Sequence, residues 1–388
     1  MYPDLSYFFH DVFGTEPDNW TSIFKTFGLF LVLAILLASY LLYKELKRKA
    51  EQGLFTYVEV KKIQGQGATP TELIWNAFFG FVVGFKAVYI IQHFAAFQAD
   101  ASAVLLSAKG NWLAGIVGAG IFAAIRYREK TKDKLDKPKT VIEKVYPYDR
   151  IGDITIVAAV SGIIGAKVFA LVEDLPSFFN DPIGMFFSGS GLAIYGGLIG
   201  GFIGVWWYLR SKNIPFLPVA DGIAPGMMIA YGVGRMGCQF SGDGDWGDPA
   251  AAMPDWWFLP DWLWSYNYPN NVAQQGVPIE GCTYDYCMQL IPEVYPTPLY
   301  EIIMALLLGL ILWNIRKRFK IGGVLFFVYL IFNGIERFTI EQIRINDEYN
   351  VLGFYLTQAE IIAILLFIIG VAGVLFLRNR HNKTAKAS

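Results

Sequence analysis

Residues 24–49 read FKTFGLFLVLAILLASYLLYKELKRK. From Phe24 to Tyr43 the run is almost wholly apolar, and a helix needs about 20 such residues to cross a bilayer core of roughly 30 Å. Lys44, Lys47, Arg48 and Lys49 close it. An apolar run that ends in a basic cluster reads as a helix stopping at the cytoplasmic face.

The same pattern recurs along the chain. Further runs lie at about 73–97, 104–125, 152–173, 189–209, 217–241, 298–315, 322–343 and 355–377. The composition agrees: of 388 residues 54% are hydrophobic and 17% charged, where soluble domains carry roughly a quarter charged residues. The expected fold is an all-α integral membrane protein with about nine transmembrane helices. A net charge of −1 gives no basis for binding nucleic acid, and three cysteines and three histidines are too few for an ordinary zinc or haem site. Asp4, Asp11, Glu16 and Asp18 precede the first run, where a signal peptide would carry basic residues, so the N-terminus does not read as one.

The basic residues give an orientation. Lys61 and Lys62 join the first cluster; Arg126 to Arg150 is a loop rich in Lys and Arg. Arg210 and Lys212 follow the fifth run. Arg316, Lys317, Arg318 and Lys320 separate the seventh and eighth, and Arg378, Arg380, Lys383 and Lys386 end the chain. If nine spans alternate, all fall on one side, with Lys109 and Arg344 the exceptions on the other. The positive-inside rule then places the N-terminus outside and the C-terminus in the cytoplasm. The loop 242–297 falls outside. It has eight carboxylates, no Lys or Arg, and five tryptophans, Trp246, Trp256, Trp257, Trp262 and Trp264. Tryptophan favours the headgroup level, so the loop is expected to be a folded cap on the outer interface. Cys282 and Cys287 within it can pair outside the cytoplasm.

Charges inside spans mark function by default. Lys86, Lys167, Arg235, Arg337 and Glu341 are such charges. The alternating topology puts Lys167, Arg235, Arg337 and Glu341 near the outer ends of their spans, with Tyr195 at the same depth and Asp243 at the start of the cap. Lys86 lies near mid-membrane, apart from them. Asn333, Arg337, Glu341 and Arg344 are spaced to form one polar stripe on a helix. Lys167, Arg235 and Arg337 against Asp243 and Glu341 leave surplus positive charge, which a phosphate would neutralise; arginine suits phosphate through its fork of donors. Two stretches are rich in glycine: residues 188–201, SGSGLAIYGGLIGG, and residues 232–247, GVGRMGCQFSGDGDWG. In the first, Gly200 and Gly201 read as close helix packing. In the second, glycine permits positive φ and close backbone approach to a ligand, with Gly234 giving the Arg235 guanidinium room.

At these residues the chain resembles the prolipoprotein diacylglyceryl transferase family. The resemblance runs from about Tyr148 to Arg378, with the first span also aligning. It rests on AIYGGLIGG (193–201), DGIAPG (221–226), GRMGCQFSGDGDWG (234–247), YPTPLYE (295–301) and NGIERFTIEQIR (333–344). It implies a seven-helix core plus an inserted helical pair at 73–125, within one polytopic domain spanning 1–388, with the extracytoplasmic cap at 242–297. It implies transfer of the diacylglyceryl group of phosphatidylglycerol to the lipobox cysteine thiol of a prolipoprotein signal peptide, at the outer leaflet of a bacterial cytoplasmic membrane. The two family arginines fall on Arg235 and Arg337, the acidic residues on Asp243 and Glu341, and a basic residue on Lys167. Cys238, Ser241, Gly247, Tyr300, Asn333 and Arg344 are the further substrate-contact positions. Tyr195 stands where the family has a histidine, Cys238 where it has an asparagine, and Phe27 where it has a tyrosine. Tyr195 can donate a hydrogen bond but, with a reference pKa near roughly 10, does not titrate as histidine does. The chemistry is consistent with the residues: a thiol must lose its proton to attack, Asp243 or Glu341 can take it, and Arg235 and Arg337 can face the leaving phosphate. Neither metal nor organic cofactor is called for. Buried charges and glycine-broken helices also suit a secondary transporter, but the two halves of the chain show no inverted repeat.

Overall fold

The computed structural model describes residues 1–99, 101–187, 193–344, 346, 348–351 and 353–387. In chain order its helices are α1 (Leu5–Phe13), α2 (Thr26–Glu51), α3 (Pro70–Gln92), α4 (Phe94–Ala99), α5 (Ala101–Leu106), α6 (Trp112–Lys132) and α7 (Ile151–Glu173). Then follow α8 (Leu175–Asn180), α9 (Pro182–Phe187), α10 (Ile194–Ser211), α11 (Phe216–Ser241), α12 (Thr297–Ile315), α13 (Val324–Glu341) and α14 (Gln358–Ala387). Three antiparallel two-stranded ribbons pair β1 (Val58–Gln64) with β2 (Lys139–Val145), β3 (Val277–Pro278) with β4 (Met288–Gln289), and β5 (Glu348–Val351) with β6 (Phe354–Thr357).

Among the described residues six helices are long and apolar enough to cross a membrane: α2, α3, the segment Pro147–Glu173 that contains α7, α11, α12 and α14. Helices also stand at the three other expected positions with a weaker apolar signal. α6 carries Arg126, Arg128, Lys130 and Lys132 in its last turns, α10 is diluted by Gly, Trp and Tyr, and α13 holds Glu336, Arg337 and Glu341. The second expected run breaks at His93. The third starts later than its apolar composition suggests, because Asn111 caps α6, accepting from the Ala114 N–H at 2.9 Å. The first five residues of the glycine-rich 188–201 stretch lie outside the described residues.

The chain forms two compact units, one of residues 1–51 and 209–388, the other of residues 52–208. In the first, α11 packs against α2, α12 and α13, and α13 against α14. Ala224, Met228, Ala305, Leu312 and Leu325 form the buried centre. At the basic end of this bundle the fully buried Glu45 accepts from Arg316 Nε at 3.0 Å and pairs with Arg48. Asp221 accepts from the Gly323 and Phe326 N–H groups at 2.7 and 2.9 Å. These bonds tie α2, α11 and the α12–α13 turn together; breaking a buried pair by removing one partner costs about 3–5 kcal/mol.

At the opposite end of the same bundle the segment between α11 and α12 folds on its own small core of Trp246, Tyr268, Leu290 and Val294. Asn271, fully buried, donates to the carbonyls of Tyr268, Gln275 and Met288 at 3.0–3.2 Å and accepts from the Gln275 N–H at 2.9 Å. Cys282 and Cys287 are joined in a disulfide. The N-terminal arm packs onto this cap: the Met1 ammonium donates to Pro269 O at 2.9 Å, and the Tyr286 N–H to the Tyr7 hydroxyl at 3.0 Å.

In the second unit α3 and α6 cross at glycines. A Cβ on Gly84 would lie 2.2 Å from the Ala114 carbonyl oxygen. Lys86, the intramembrane lysine that stood apart in the sequence, ends on backbone. Its Nζ donates to the carbonyls of Val104 and Lys109 at 2.8 and 3.0 Å and to that of Ser107, so it caps the end of α5. The β1–β2 ribbon joins segments some 80 residues apart on either side of the α3–α6 pair.

Candidate active site

The site residues of the first unit gather where α11 ends, α12 begins and α13 ends, beneath the cap. Gly242 ends α11 in the left-handed conformation (φ 64°), and its N–H donates to Cys238 O at 3.0 Å. Glycine suits that turn because it alone enters the region at no steric cost. The chain then doubles back and lays Asp243 and Asp245 over the last turn of α11. Gly247 bridges to Arg344, and a Cβ there would lie 2.5 Å from the Ile343 carbonyl oxygen, so only glycine allows the approach. The contact brings Arg344, which lies beyond the end of α13, back into the group.

Three guanidiniums converge on Glu301 Oε1: Arg235 Nη2 at 3.1 Å, Arg337 Nη1 at 3.2 Å and Arg344 Nη1 at 3.6 Å. The Tyr231 hydroxyl donates to the same oxygen at 2.8 Å. Glu301 is wholly buried in the first turns of α12. Asp245 forms the next layer, pairing with Arg235 and accepting from Arg344 Nη2 at 2.7 Å. Glu341 pairs with Arg337 Nη2 at 2.9 Å and accepts from Asn346 Nδ2 at 2.5 Å. Three guanidiniums therefore meet three carboxylates. The surplus of positive charge expected from the sequence is absent from this cluster, because Glu301 and Asp245 had not been counted.

The acidic partner of Arg235 is Asp245 rather than Asp243. Burial disfavours the Asp245 carboxylate, but the guanidiniums of Arg235 and Arg344 outweigh burial and hold it below the usual carboxylate range. Asp243 behaves oppositely. Burial, reinforced by the nearby Asp245, pushes its carboxyl above the usual range, against the opposing hydrogen bonds from Cys238 and the Asp245 N–H. The two carboxyls, two residues apart, are thus driven in opposite directions, Asp245 held ionised by its guanidiniums and Asp243 pushed toward its protonated form. The Cys238 thiol, Asp243 and Asp245 come within 4.8 Å of one another, as ligands of a cation would. Arg235 and Arg344 already supply the positive charge that Asp245 faces, so the group does not fit a metal well.

The other expected residues are distributed as follows. Asn333 lies half-buried on α13, one turn before Arg337. Ser241 closes α11, its carbonyl accepting from the Val272 N–H at 3.0 Å. The Tyr300 hydroxyl donates to Leu263 O at 2.8 Å and so pins the cap to α12. A Cβ at Gly234 would meet open space, so the room expected there for the Arg235 guanidinium is not what that glycine provides. Phe27 packs against Gly237 of α11. Lys167, buried on α7, and Tyr195, in the first turn of α10, belong to the second unit; α7 and α10 meet at Gly165 and Gly196. Glu301 and Tyr231 escaped the sequence reading. Glu301 stands inside YPTPLYE, and the signal was available: a carboxylate in the first turns of an apolar span is a charge in a span like the others.

A sequence profile of the family described as prolipoprotein diacylglyceryl transferase matches residues 111–376. A phosphatidylglycerol–prolipoprotein diacylglyceryl transferase of Corynebacterium efficiens is 32% identical over 243 residues, covering 61% of this chain and 70% of its own length. A protein of the same name from Dehalococcoides mccartyi is 29% identical over 241 residues, 62% of this chain and 81% of its own. Another, from Clostridium tetani, is 29% identical over 257 residues, 66% and 88%.

Proposed function

This chain belongs to the prolipoprotein diacylglyceryl transferase family, and we propose that the arginine–carboxylate cluster on α11, α12 and α13 is where its reaction takes place. The protein is a multi-pass membrane enzyme of a bacterial family, a transferase that moves the diacylglyceryl group of phosphatidylglycerol onto prolipoprotein in lipoprotein biosynthesis. The observation that carries the site is the convergence of Arg235, Arg337 and Arg344 on one buried oxygen of Glu301. Guanidinium forks match phosphate oxygens as well as carboxylate oxygens. A lipid phosphate can therefore take donors that the carboxylates hold in its absence.

The acceptor is the lipobox cysteine thiol. Its sulfur attacks the glycerol carbon bearing the phosphate, the S–C bond forms, and the C–O bond to phosphate breaks. The electron pair stays on the departing phosphate oxygen. The thiol proton passes to Asp243, whose raised pKa makes it the better acceptor. Negative charge grows on the leaving glycerol phosphate, which Arg235 and Arg337 face with donors already fixed in place. Glu341 orients Arg337. Cys238, Ser241, Gly247, Tyr300, Asn333 and Arg344 shape the surroundings of the lipid. Lys167 and Tyr195 carry their assigned roles, lipid contact and hydrogen-bond donation, on the family motif alone.

Nine spans, with the N-terminus outside and the C-terminus in the cytoplasm of a bacterial inner membrane, fit the distribution of Lys and Arg. In that arrangement the cap lies outside and the cluster faces the outer leaflet, where phosphatidylglycerol and a secreted precursor can both arrive. The exposed Trp256 and Trp262 of the cap suit the headgroup level. The test is transfer from labelled phosphatidylglycerol to a lipobox peptide. Arg235→Ala and Arg337→Ala abolish it while the protein stays folded in the membrane; near-normal transfer by either removes that residue from the phosphate seat.

A further inference from the structure

The second unit carries a surface that the reaction does not use. Along β1 and β2 every side chain is exposed apart from the half-buried Val145. A ribbon of two strands is marginally stable in water unless something covers one of its faces. The register sorts its side chains, because opposed residues share a face and successive pairs alternate. One face has Glu59 opposite Lys144, Lys61 opposite Ile142 and Ile63 opposite Thr140. Tyr57 and Tyr146 continue that face, with ring centroids 5.7 Å apart, and Lys144 Nζ lies 4.4 Å from the centre of the Tyr57 ring. Its isoleucines, Ile63 and Ile142, are 53% and 55% exposed. On the other face Lys62 is neutralised by Glu143 at 3.2 Å. The ribbon is also held against the membrane. A strand needs about 9–11 residues to cross a bilayer, and these have seven each, so both ends of the ribbon stay on one side. At one end the Leu135 N–H donates to Gly65 O at 3.1 Å, between the end of α6 and the start of α3. At the other, Tyr146 leads directly into the apolar segment Pro147–Glu173. Tethered to helix ends in both places, the ribbon lies along the surface of the bilayer.

We propose that the face bearing Tyr57, Lys61, Ile63, Ile142, Lys144 and Tyr146 docks on the headgroups of an anionic leaflet. The tyrosine rings sit at headgroup level, the isoleucines reach the acyl boundary, and Lys61 and Lys144 pair with lipid phosphate. Charge selects this occupant. The two strands carry Lys61, Lys62, Lys139 and Lys144 against Glu59 and Glu143, and a basic surplus close to the bilayer is drawn to anionic lipid. Phosphatidylglycerol, the lipid that the reaction consumes, is itself anionic, so the membrane in which this enzyme works supplies that charge. The proposal rests on α3 and α6 crossing the membrane, and it holds whichever side the ribbon faces.

The experiment uses the full chain in nanodiscs, with a fluorophore on a cysteine placed either at Thr140, on the docking face, or at Gln64, on the opposite one. Cys238 is buried and Cys282 and Cys287 are joined, so the label goes to the new thiol. Acrylamide, an uncharged quencher, reads exposure. The discs are pure phosphatidylcholine or equal parts phosphatidylcholine and phosphatidylserine, an anionic lipid that keeps the enzyme's own substrate out of the readout. The Thr140 label is shielded in the anionic discs and open in the neutral ones, and the Gln64 label is open in both. Lys61→Gln and Lys144→Gln each lower the ratio of docked to open ribbon by about fivefold. A Thr140 label equally open in both discs overturns the proposal, and that comparison leaves both lysines in place. So does shielding that ignores lipid charge and both substitutions, because another part of this chain or a second copy then covers the face. Failure of α3 and α6 to cross the membrane looks different: a label on Val117→Cys, whose side chain is exposed on α6, would then be open to acrylamide in every disc.

Discussion

Arg337 is the residue at which the fork geometry can be separated from the charge. Its Nη1 lies 3.2 Å from Glu301 Oε1 and its Nη2 2.9 Å from Glu341 Oε2, so one planar group bridges two buried carboxylates on different helices. Lysine keeps the charge and offers one point donor, which cannot hold both directions. Arg337→Lys therefore loses one charge-assisted hydrogen bond, about 1.5–3 kcal/mol, and leaves one carboxylate short of a partner. If that loss falls on the transition state, kcat/KM drops by roughly 10- to 150-fold, at about 1.4 kcal/mol per decade. Arg337→Ala removes both charge-assisted hydrogen bonds and the charge, so its loss of kcat/KM exceeds that of Arg337→Lys; the unpaired Glu341 separately destabilises the fold by about 3–5 kcal/mol. The assay is initial-rate transfer from labelled phosphatidylglycerol to a lipobox peptide by purified protein, with folding checked by thermal unfolding. An Arg337→Lys enzyme within twofold of wild type would refute the reasoning, because charge alone would then suffice.

The remaining expectations follow from the neighbouring groups. Asp243 must be ionised to accept the thiol proton, and burial raises its pKa; transfer therefore falls as pH drops, from a higher pH than an ordinary aspartate would give. Asp243→Asn removes that limb and costs about 10²–10⁴ in rate, whereas Glu341→Gln retains substantial transfer; the reverse ranking of the two variants makes Glu341 the base. Asn271→Ala strands the carbonyls of Tyr268, Gln275 and Met288. At about 1–3 kcal/mol for each unsatisfied buried group, the cap should become sensitive to limited proteolysis, and unchanged resistance would show that another contact holds it. A cysteine placed at Ser265 should react with an impermeant thiol reagent from outside, and one at Thr131 should not; the opposite labelling inverts the topology.

The helices were legible in the sequence because a membrane span must be apolar over a fixed length, a requirement that acts residue by residue. The positions of Arg235, Arg337 and Glu341 were legible for the same reason, since a charge in such a run is conspicuous. What the sequence concealed was pairing. Asp243 and Asp245 are two residues apart, and which one meets Arg235 depends on how Gly242 and Gly244 turn the chain. Glu301 stands in the sequence only as the last residue of YPTPLYE, and the packing of α11, α12 and α13 puts three arginines around it. Lys86 stands apart from the cluster in the sequence, and its partners are carbonyls released where the apolar run stops being helical before Asn111. The β1–β2 ribbon joins segments whose side chains are almost all exposed, so no buried face announced it.

The central claim is that a lipid phosphate sits among these guanidiniums, and the most direct measurement is a high-resolution map of the protein in nanodiscs containing phosphatidylglycerol. The account predicts phosphate density with its oxygens about 2.7–2.9 Å from the Arg235 and Arg337 nitrogens, the distance of a charge-assisted hydrogen bond, and its loss in Arg235→Ala. Phosphate density that avoids both arginines, with their contacts to Glu301 and Asp245 unbroken, would contradict it.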